Sequence, residues 1–321
     1  MLCPPISDCP DNACRLNWVK RPLLARDWAI HKEKLNRRRC SSVSEVSRRV
    51  LGPYRLLRLV YSGATTQLWQ AIHEGEHRYY AVKLLQDQFR GNREHLGYLR
   101  REYEVGSRLI HPRIIRFYAL QLHGSSPYLV MEWFPAPSMR SWIQRGVGDL
   151  GPHLEKVVHQ AAEALAFMHT EGWVHRDIKP DNFLVHPSGE VKLIDFALAR
   201  REPTWLSRLL PVHRKIQGTQ SYMSPEQIRG QLVDARSDVY SLACTYYHLL
   251  GGQPPFSGSS TAELLHKHLR ANPPNLQRLN PRVHPAFAEL VARMLSKKPS
   301  ERPRSAVEVV EELRRTPVFR N

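Results

Sequence analysis

The chain has 321 residues, 42% of them apolar, with a formal net charge of +17. That apolar share allows a real core to be buried, and neither low-complexity tracts nor solenoid-like repeats are present. No run approaches the ~20 uninterrupted apolar residues a membrane helix requires, and the positive charge favours acidic partners without specifying a fold.

Residues 1–50 carry Pro, Ser and charge without a sustained apolar period, and read as a flexible basic N-terminal extension. Within it, Trp28 to Arg39 could form a basic amphipathic helix, and Arg37-Arg38-Arg39 reads as a solvated tail. The start, Met1-Leu2-Cys3-Pro4-Pro5, lacks the layout of a secretory signal, so a cytoplasmic location is expected. Cysteines stand at 3, 9, 14, 40 and 244 without a Cys-x2-Cys pair, which favours ordinary reduced thiols over structural zinc. Cys244 reads as a small core residue.

From Leu51 the texture changes. Tyr54 to Val60, Thr66 to Ile72 and Tyr79 to Leu85 are short strand-like runs separated by turn or polar residues. A helix is predicted over Arg93 to Ile110, closed by His111-Pro112, because a residue before proline avoids helical geometry. Strands follow at Ile114 to Gln121 and Tyr128 to Trp133. Beyond Pro135 and Pro137 the pattern is largely helical, over Leu154 to Thr170, Asp234 to Leu250, Thr261 to Leu269 and Pro285 to Met294. Val239 to Leu250, the most apolar stretch, contains Ser241, Thr245 and His248 and reads as a buried globular helix. A strand-rich part ahead of a helix-rich part leaves a cleft between them where a ligand could sit.

The strongest chemical signal is Val174-His175-Arg176-Asp177-Ile178-Lys179-Pro180-Asp181-Asn182, followed by Ile194-Asp195-Phe196. It offers carboxylates, an amide and a lysine in a short, strand-flanked loop. Phosphoryl transfer needs metal ligands for the phosphates, a carboxylate facing the acceptor hydroxyl, and a cation against developing charge. Upstream, Tyr80-Ala81-Val82-Lys83 puts a lysine on an apolar strand, which is costly unless the ammonium finds a partner.

These motifs resemble the eukaryotic-type serine/threonine protein kinase family, from about Leu51 to about Arg315. The resemblance implies an α+β, two-lobed protein-kinase-like fold with an antiparallel-sheet N-lobe and a mainly helical C-lobe. The division expected is 51–134 for N-lobe and hinge, 135–315 for the C-lobe and 316–321 for a tail. It implies that ATP and Mg2+ are the cofactors. Asp177 would accept or orient the substrate hydroxyl proton, with Lys179 beside it favouring Ser/Thr specificity, and Asn182 and Asp195 would bind magnesium. Lys83 would meet the phosphates and a helix glutamate, for which Glu102 is preferred and Glu104 competes. Ala81 would roof the adenine and Leu184 would floor it, with Val60, Gly63 and Leu68 also lining the pocket. Met131 would be the gatekeeper, and backbone groups of Glu132 and Phe134 would pair with adenine. Glu226, Arg302 and Asp238 would have structural roles. The partners implied are protein substrates with Ser/Thr acceptors, with room for autophosphorylation; nucleic acid is not expected.

Two departures stand out. The family's Gly-x-Gly-x-x-Gly loop is here Tyr61-Ser62-Gly63-Ala64-Thr65-Thr66, and a side chain obstructs the close approach that glycine allows an anion. Backbone donors at Gly63 could still reach a phosphate, so weaker ATP binding is expected. Alanine stands at 197, after Asp195-Phe196, where glycine is the rule, and a stiffer switch is expected. The alternative is a pseudokinase scaffold that binds nucleotide or partners without transfer; Lys83, Asp177 and Asp195 are all present, which favours catalysis. A small-molecule kinase is a weaker third reading, since Gly218-Thr219 and Ser224-Pro225-Glu226 resemble a peptide-binding segment.

The segment from Ala197 to Ser224 holds Thr204, Ser207, Thr219 and Ser221, and an arginine such as Arg176 could pair with a phosphate there. Thr219 is expected to shape the substrate pocket. Arg200, Arg201, Arg208, Arg214 and Lys215 form a basic strip that favours acidic substrates or needs an anion to settle, or is simply solvated.

Overall fold

The computed structural model describes residues 50–124, 126–203 and 218–320. The expected extension, its helix at Trp28 to Arg39 and its four cysteines lie outside the described residues. So do Thr204, Ser207, Arg208, Arg214 and Lys215.

The N-terminal part is a single antiparallel sheet with one long helix. Strands β1 (Val50–Leu51), β2 (Tyr54–Ser62), β3 (Thr66–His73), β4 (Tyr79–Leu85), β5 (Phe117–Gln121) and β6 (Tyr128–Glu132) pair in the order β1-β2-β3-β4-β6-β5. Leu56, Trp69, Ala71 and Val82 are buried, as expected of short strands with one covered face. The β2–β3 ladder has register shifts between Leu56 and Arg58 and between Leu59 and Tyr61. Helix α1 (Arg93–Gly106) starts at Asn92, whose Oδ1 accepts from the Glu94 N–H at 2.9 Å. Leu99, Glu102, Val105 and Gly106 fall on its buried face, so a carboxylate rides among apolar residues.

Helix α1 was expected to reach Ile110 but ends at Gly106. The amides of Arg108 and Leu109 bond to carbonyls three residues back, Val105 and Gly106, a tighter winding typical of a terminating helix. The strand predicted from Ile114 starts only at Phe117. Ahead of it, Ile115 N–H donates to Leu193 O at 3.1 Å and Leu193 N–H to Arg113 O at 2.8 Å. Residues 113–115 therefore pair with the C-terminal part, just before Asp195, instead of extending the sheet.

The C-terminal part is mainly helical, with α2 (Met139–Gln144), α3 (Leu154–Thr170), α4 (Pro225–Ile228), α5 (Ala235–Gly251), α6 (Thr261–Arg270), α7 (Pro285–Met294) and α8 (Ala306–Leu313). Short strands β7 (Trp173–Val174) and β10 (Arg200–Arg201) form one pair, and β8 (Phe183–Val185) and β9 (Val191–Leu193) another. Helix α5 is buried nearly all round, as its apolar sequence implies, and includes Cys244, whose thiol burial holds well above its ordinary pKa. Asp234 caps its start and Gly252, with φ of 75°, ends it. Among the described residues no helix is long and apolar enough to cross a membrane.

Residues 316–320, set apart as a tail on sequence, are instead built into this part. Val318 is fully buried, His284 N–H donates to Val318 O at 2.9 Å, and Arg320 N–H to Arg282 O at 2.8 Å. An apolar Val-Phe pair just past a helix end has a core within reach and fills it.

Candidate functional site

The β4 lysine, the α1 glutamate and the loop after β9 meet at one point. Lys83 Nζ lies 2.7 Å from Glu102 Oε2 and 3.8 Å from Asp195 Oδ1. Of the two glutamates considered, it is Glu102, only 2% exposed, that pairs with Lys83. Burial works to deprotonate Lys83, but the Asp195 and Glu102 carboxylates hold its ammonium well charged. Burial pushes Glu102 up to about 7, against the pull of Lys83. For Asp195, burial is outweighed by Lys83, His175 and Lys179, so the carboxyl stays below its ordinary range.

Asp195 sits at φ of 66° and Arg176 at 71°, left-handed conformations that cost a non-glycine residue about 1–3 kcal/mol. The surroundings hold them there. Asp238, from the first turn of α5, accepts the His175 and Arg176 N–H groups at 2.6 and 2.8 Å. Its other partner is His169 Nε2 at 3.1 Å. Gln227 donates to the Arg176 carbonyl at 2.9 Å, and Ile194 N–H donates to Asn182 O at 3.0 Å. Phe196 is buried against His175 and Phe117. Ala197 is not among the residues with positive φ, so alanine is accommodated here without left-handed strain.

The loop between β7 and β8 carries the second group. Lys179 Nζ donates to Asp177 Oδ2 at 2.6 Å and to Thr219 Oγ1 at 2.8 Å. Thr219 in turn donates to Asp177 Oδ1 through its N–H at 3.1 Å and its hydroxyl at 3.2 Å. Asn182 Nδ2 donates to the Asp177 carbonyl at 2.7 Å and more weakly to Oδ2 at 3.4 Å. Each Asp177 oxygen thus carries two donors, and an incoming hydroxyl would replace one of the longer ones. With its nitrogen engaged in this way, Asn182 keeps its amide oxygen for another partner, and Asp195 is a stable carboxylate. Those are the hard oxygen donors magnesium takes. Among the described residues no group of three or more His, Cys, Asp or Glu side chains is assembled for a metal. A cation held by Asn182 and Asp195 would therefore complete its shell with phosphate and water oxygens.

The apolar residues expected around a base are spread over both parts. Ala81 pairs with Met131 across β4 and β6, and Leu68 pairs with Lys83 across β3 and β4. Leu184 lies on β8, bridged to Ser138, and Val60 sits at the β2 irregularity. On the connecting stretch, Glu132 N–H already donates to Arg116 O and Phe134 O accepts from Ala136 N–H, both at 2.8 Å. That narrows the expected base pairing to the Glu132 carbonyl and the Phe134 amide. The Glu132 carboxylate turns to Lys192 Nζ at 2.9 Å.

The Gly63 amide differs from expectation. It donates to Thr66 O at 2.9 Å within the β2–β3 turn, while Gln86 Nε2 holds the Gly63 carbonyl at 2.6 Å. Its N–H is committed to the turn and is not offered to an anion. Sequence reasoning passed over Gln86, Gln227 and His169, since a lone polar residue has no spacing signal. In the basic strip, Arg201 lies over the Trp173 ring at 4.2 Å and donates to Glu171 O, so it is engaged locally.

Glu226 and Arg302, as expected of structural residues, form a buried two-pronged ion pair, with Nη1–Oε1 of 2.7 Å and Nη2–Oε2 of 3.0 Å.

Comparison with known proteins gives the same picture. The family described as Protein kinase domain matches residues 54–317. The serine/threonine-protein kinase PknB of Mycolicibacterium smegmatis is 35% identical over 238 residues, 73% of this chain and 38% of that protein. PrkC of Bacillus subtilis, also a serine/threonine-protein kinase, is 32% identical over 259 residues, 80% of this chain and 39% of that protein. PknA of Mycobacterium tuberculosis, a further serine/threonine-protein kinase, is 34% identical over 262 residues, 79% and 59% respectively. The matched region thus spans between 38% and 59% of these relatives' own length.

Proposed function

The chain belongs to the protein kinase domain family, and from that premise we propose that it transfers the γ-phosphoryl group of ATP to Ser or Thr hydroxyls of protein substrates. The observation that carries this reading is the convergence of the Lys83–Glu102–Asp195 and Asp177–Lys179–Asn182 groups, whose two loops are tied together by the Ile194 N–H donating to Asn182 O.

Lys83, held charged and aimed by Glu102, would bind phosphate oxygens. Val60, Leu68, Ala81, Met131 and Leu184 would enclose the base, with the Glu132 carbonyl and Phe134 amide along its edge. Asp177 would receive the proton of the acceptor hydroxyl, and Lys179, 2.6 Å from it, would offset charge on the transferring group. Asn182 and Asp195 would hold Mg2+, which when bound neutralises charge developing on the phosphoryl oxygens. Thr219 links Lys179 to Asp177 and would set the floor under the acceptor side chain. The Ser/Thr preference is supported by Lys179 following Asp177 and by the relatives' names. A cytoplasmic place of action and phosphorylation of its own chain are parts of the same proposal.

The test is a transfer assay with magnesium, labelled ATP and a generic protein substrate, comparing the natural chain with Asp177→Ala. Label on Ser and Thr that disappears in the variant is the expected result. ATP bound by both chains with no label in either would favour the scaffold reading.

A further inference from the structure

Tyr61 stands at the first glycine position of the loop, and the fold gives it a definite place. Leu59 pairs with Trp69, so in an unbroken strand Tyr61 would share the Trp69 face of the sheet. The irregularity between Leu59 and Tyr61 inserts one extra residue and turns Tyr61 over, so that it pairs with Leu68. Leu68 in turn pairs with Lys83. Directly opposed residues present their side chains to one face, which puts Tyr61 on the Lys83 side.

The ring is seated on Gly63. A Cβ at that glycine would lie 2.9 Å from Tyr61 Cε1 and 3.1 Å from Oη, so any side chain at 63 would displace the ring from this place. The turn above it is closed by Gly63 N–H on Thr66 O and Gln86 N–H on Thr65 O, both at 2.9 Å. Its Gly63 amide is therefore not available to an anion. The phenol is. Tyr61 is 62% exposed, and its hydroxyl has no hydrogen-bond partner among the described residues.

We propose that the Tyr61 hydroxyl is a phosphate-binding donor of the nucleotide site, working beside Lys83 in place of the Gly63 amide. The inference rests on the nucleotide reading above. The loop that lacks two glycines is thus a different solution, in which one side-chain donor on a bulged strand takes over from backbone donors. Gly63 leaves the room that the ring occupies.

The test is calorimetric binding of Mg-ATP and of adenosine to the full chain and to Tyr61→Phe and Gly63→Ala. A hydrogen bond to a charged phosphate is worth about tenfold or more in affinity. Tyr61→Phe is expected to weaken ATP by about that factor and leave adenosine unchanged, since adenosine has no phosphate. Gly63→Ala, by unseating the ring, should also weaken ATP, with little further loss when combined with Tyr61→Phe. Unchanged or tighter ATP binding in Tyr61→Phe, with adenosine still bound, overturns the inference alone and means the ring merely stands in the way. If the natural chain binds neither ligand, the nucleotide reading itself fails and takes this inference with it.

Discussion

Phe117 packs against Gly106, the last residue of α1, so closely that even a methyl group there would overlap its ring. Glu102 is one turn earlier on the same buried face, and Phe117 also packs against Phe196, next to Asp195. The seat of one ring on one glycine therefore sets where α1 stands relative to Lys83.

Gly106→Ala should push α1 outward and lengthen the Lys83–Glu102 contact. Overpacking a core of this kind costs about 1–3 kcal/mol, so denaturant unfolding should show that loss while transfer falls with it. Adding Phe117→Leu should recover much of both. Equal activity and stability in Gly106→Ala would mean the helix is free to accommodate the methyl.

Thr219→Val keeps shape but removes the hydroxyl that bridges Lys179 and Asp177. With the backbone N–H bond to Asp177 retained, kcat should fall about tenfold with little change in the ATP KM. Thr219→Ser should stay near the natural rate. Steady-state kinetics on a protein substrate separates these outcomes.

Arg302 and Glu226 form their pair with the Arg302 side chain fully buried, and Arg302 also donates to Ser296 O, Lys297 O and Arg236 O. Removing one partner leaves a buried charge and several carbonyls unmet. Arg302→Ala should cost about 3–5 kcal/mol by denaturant unfolding. Arg302→Lys should recover only part, because an ammonium cannot reproduce the two-pronged geometry.

His248 and His268 are both buried, and burial lowers each to about 4, against 6.5 for an ordinary histidine. Between those values the unfolded chain binds protons that the folded chain refuses. Their contribution is complete above pH 6.5 and is lost as pH falls toward 4. By pH 5 the loss is about 2 kcal/mol per histidine. Stability measured at pH 7.5 and 5 should show it, and His268→Asn, which can still accept from Tyr240, should remove about half of the histidine share. Parallel curves for variant and natural chain would rule this out.

Much of the fold was legible because its signals are local. The bounds of β4, α3 and α7 follow from a short apolar run between polar residues, helical period and a proline at the first helical position, none of which needs a distant partner. The ends of α1 and β5 were misjudged because each is decided by another segment. Gly106 stops where Phe117 needs room, and residues 113–115 leave the sheet to pair with Leu193. The site was legible as a set of residue types, but the choice of Glu102 over Glu104 depended on which face of α1 is buried.

By itself the sequence determined the chemical inventory and the order of elements, because motif spacing and periodicity are properties of neighbouring residues. The tertiary structure alone decided the uses of particular atoms. It put Glu102 on Lys83, committed the Gly63 amide to Thr66, and let a bulge of one residue carry Tyr61 to the Lys83 face. A strand's side chains alternate every residue, so one inserted residue reverses everything beyond it. No count along the chain reveals that insertion until the partner strand is in place.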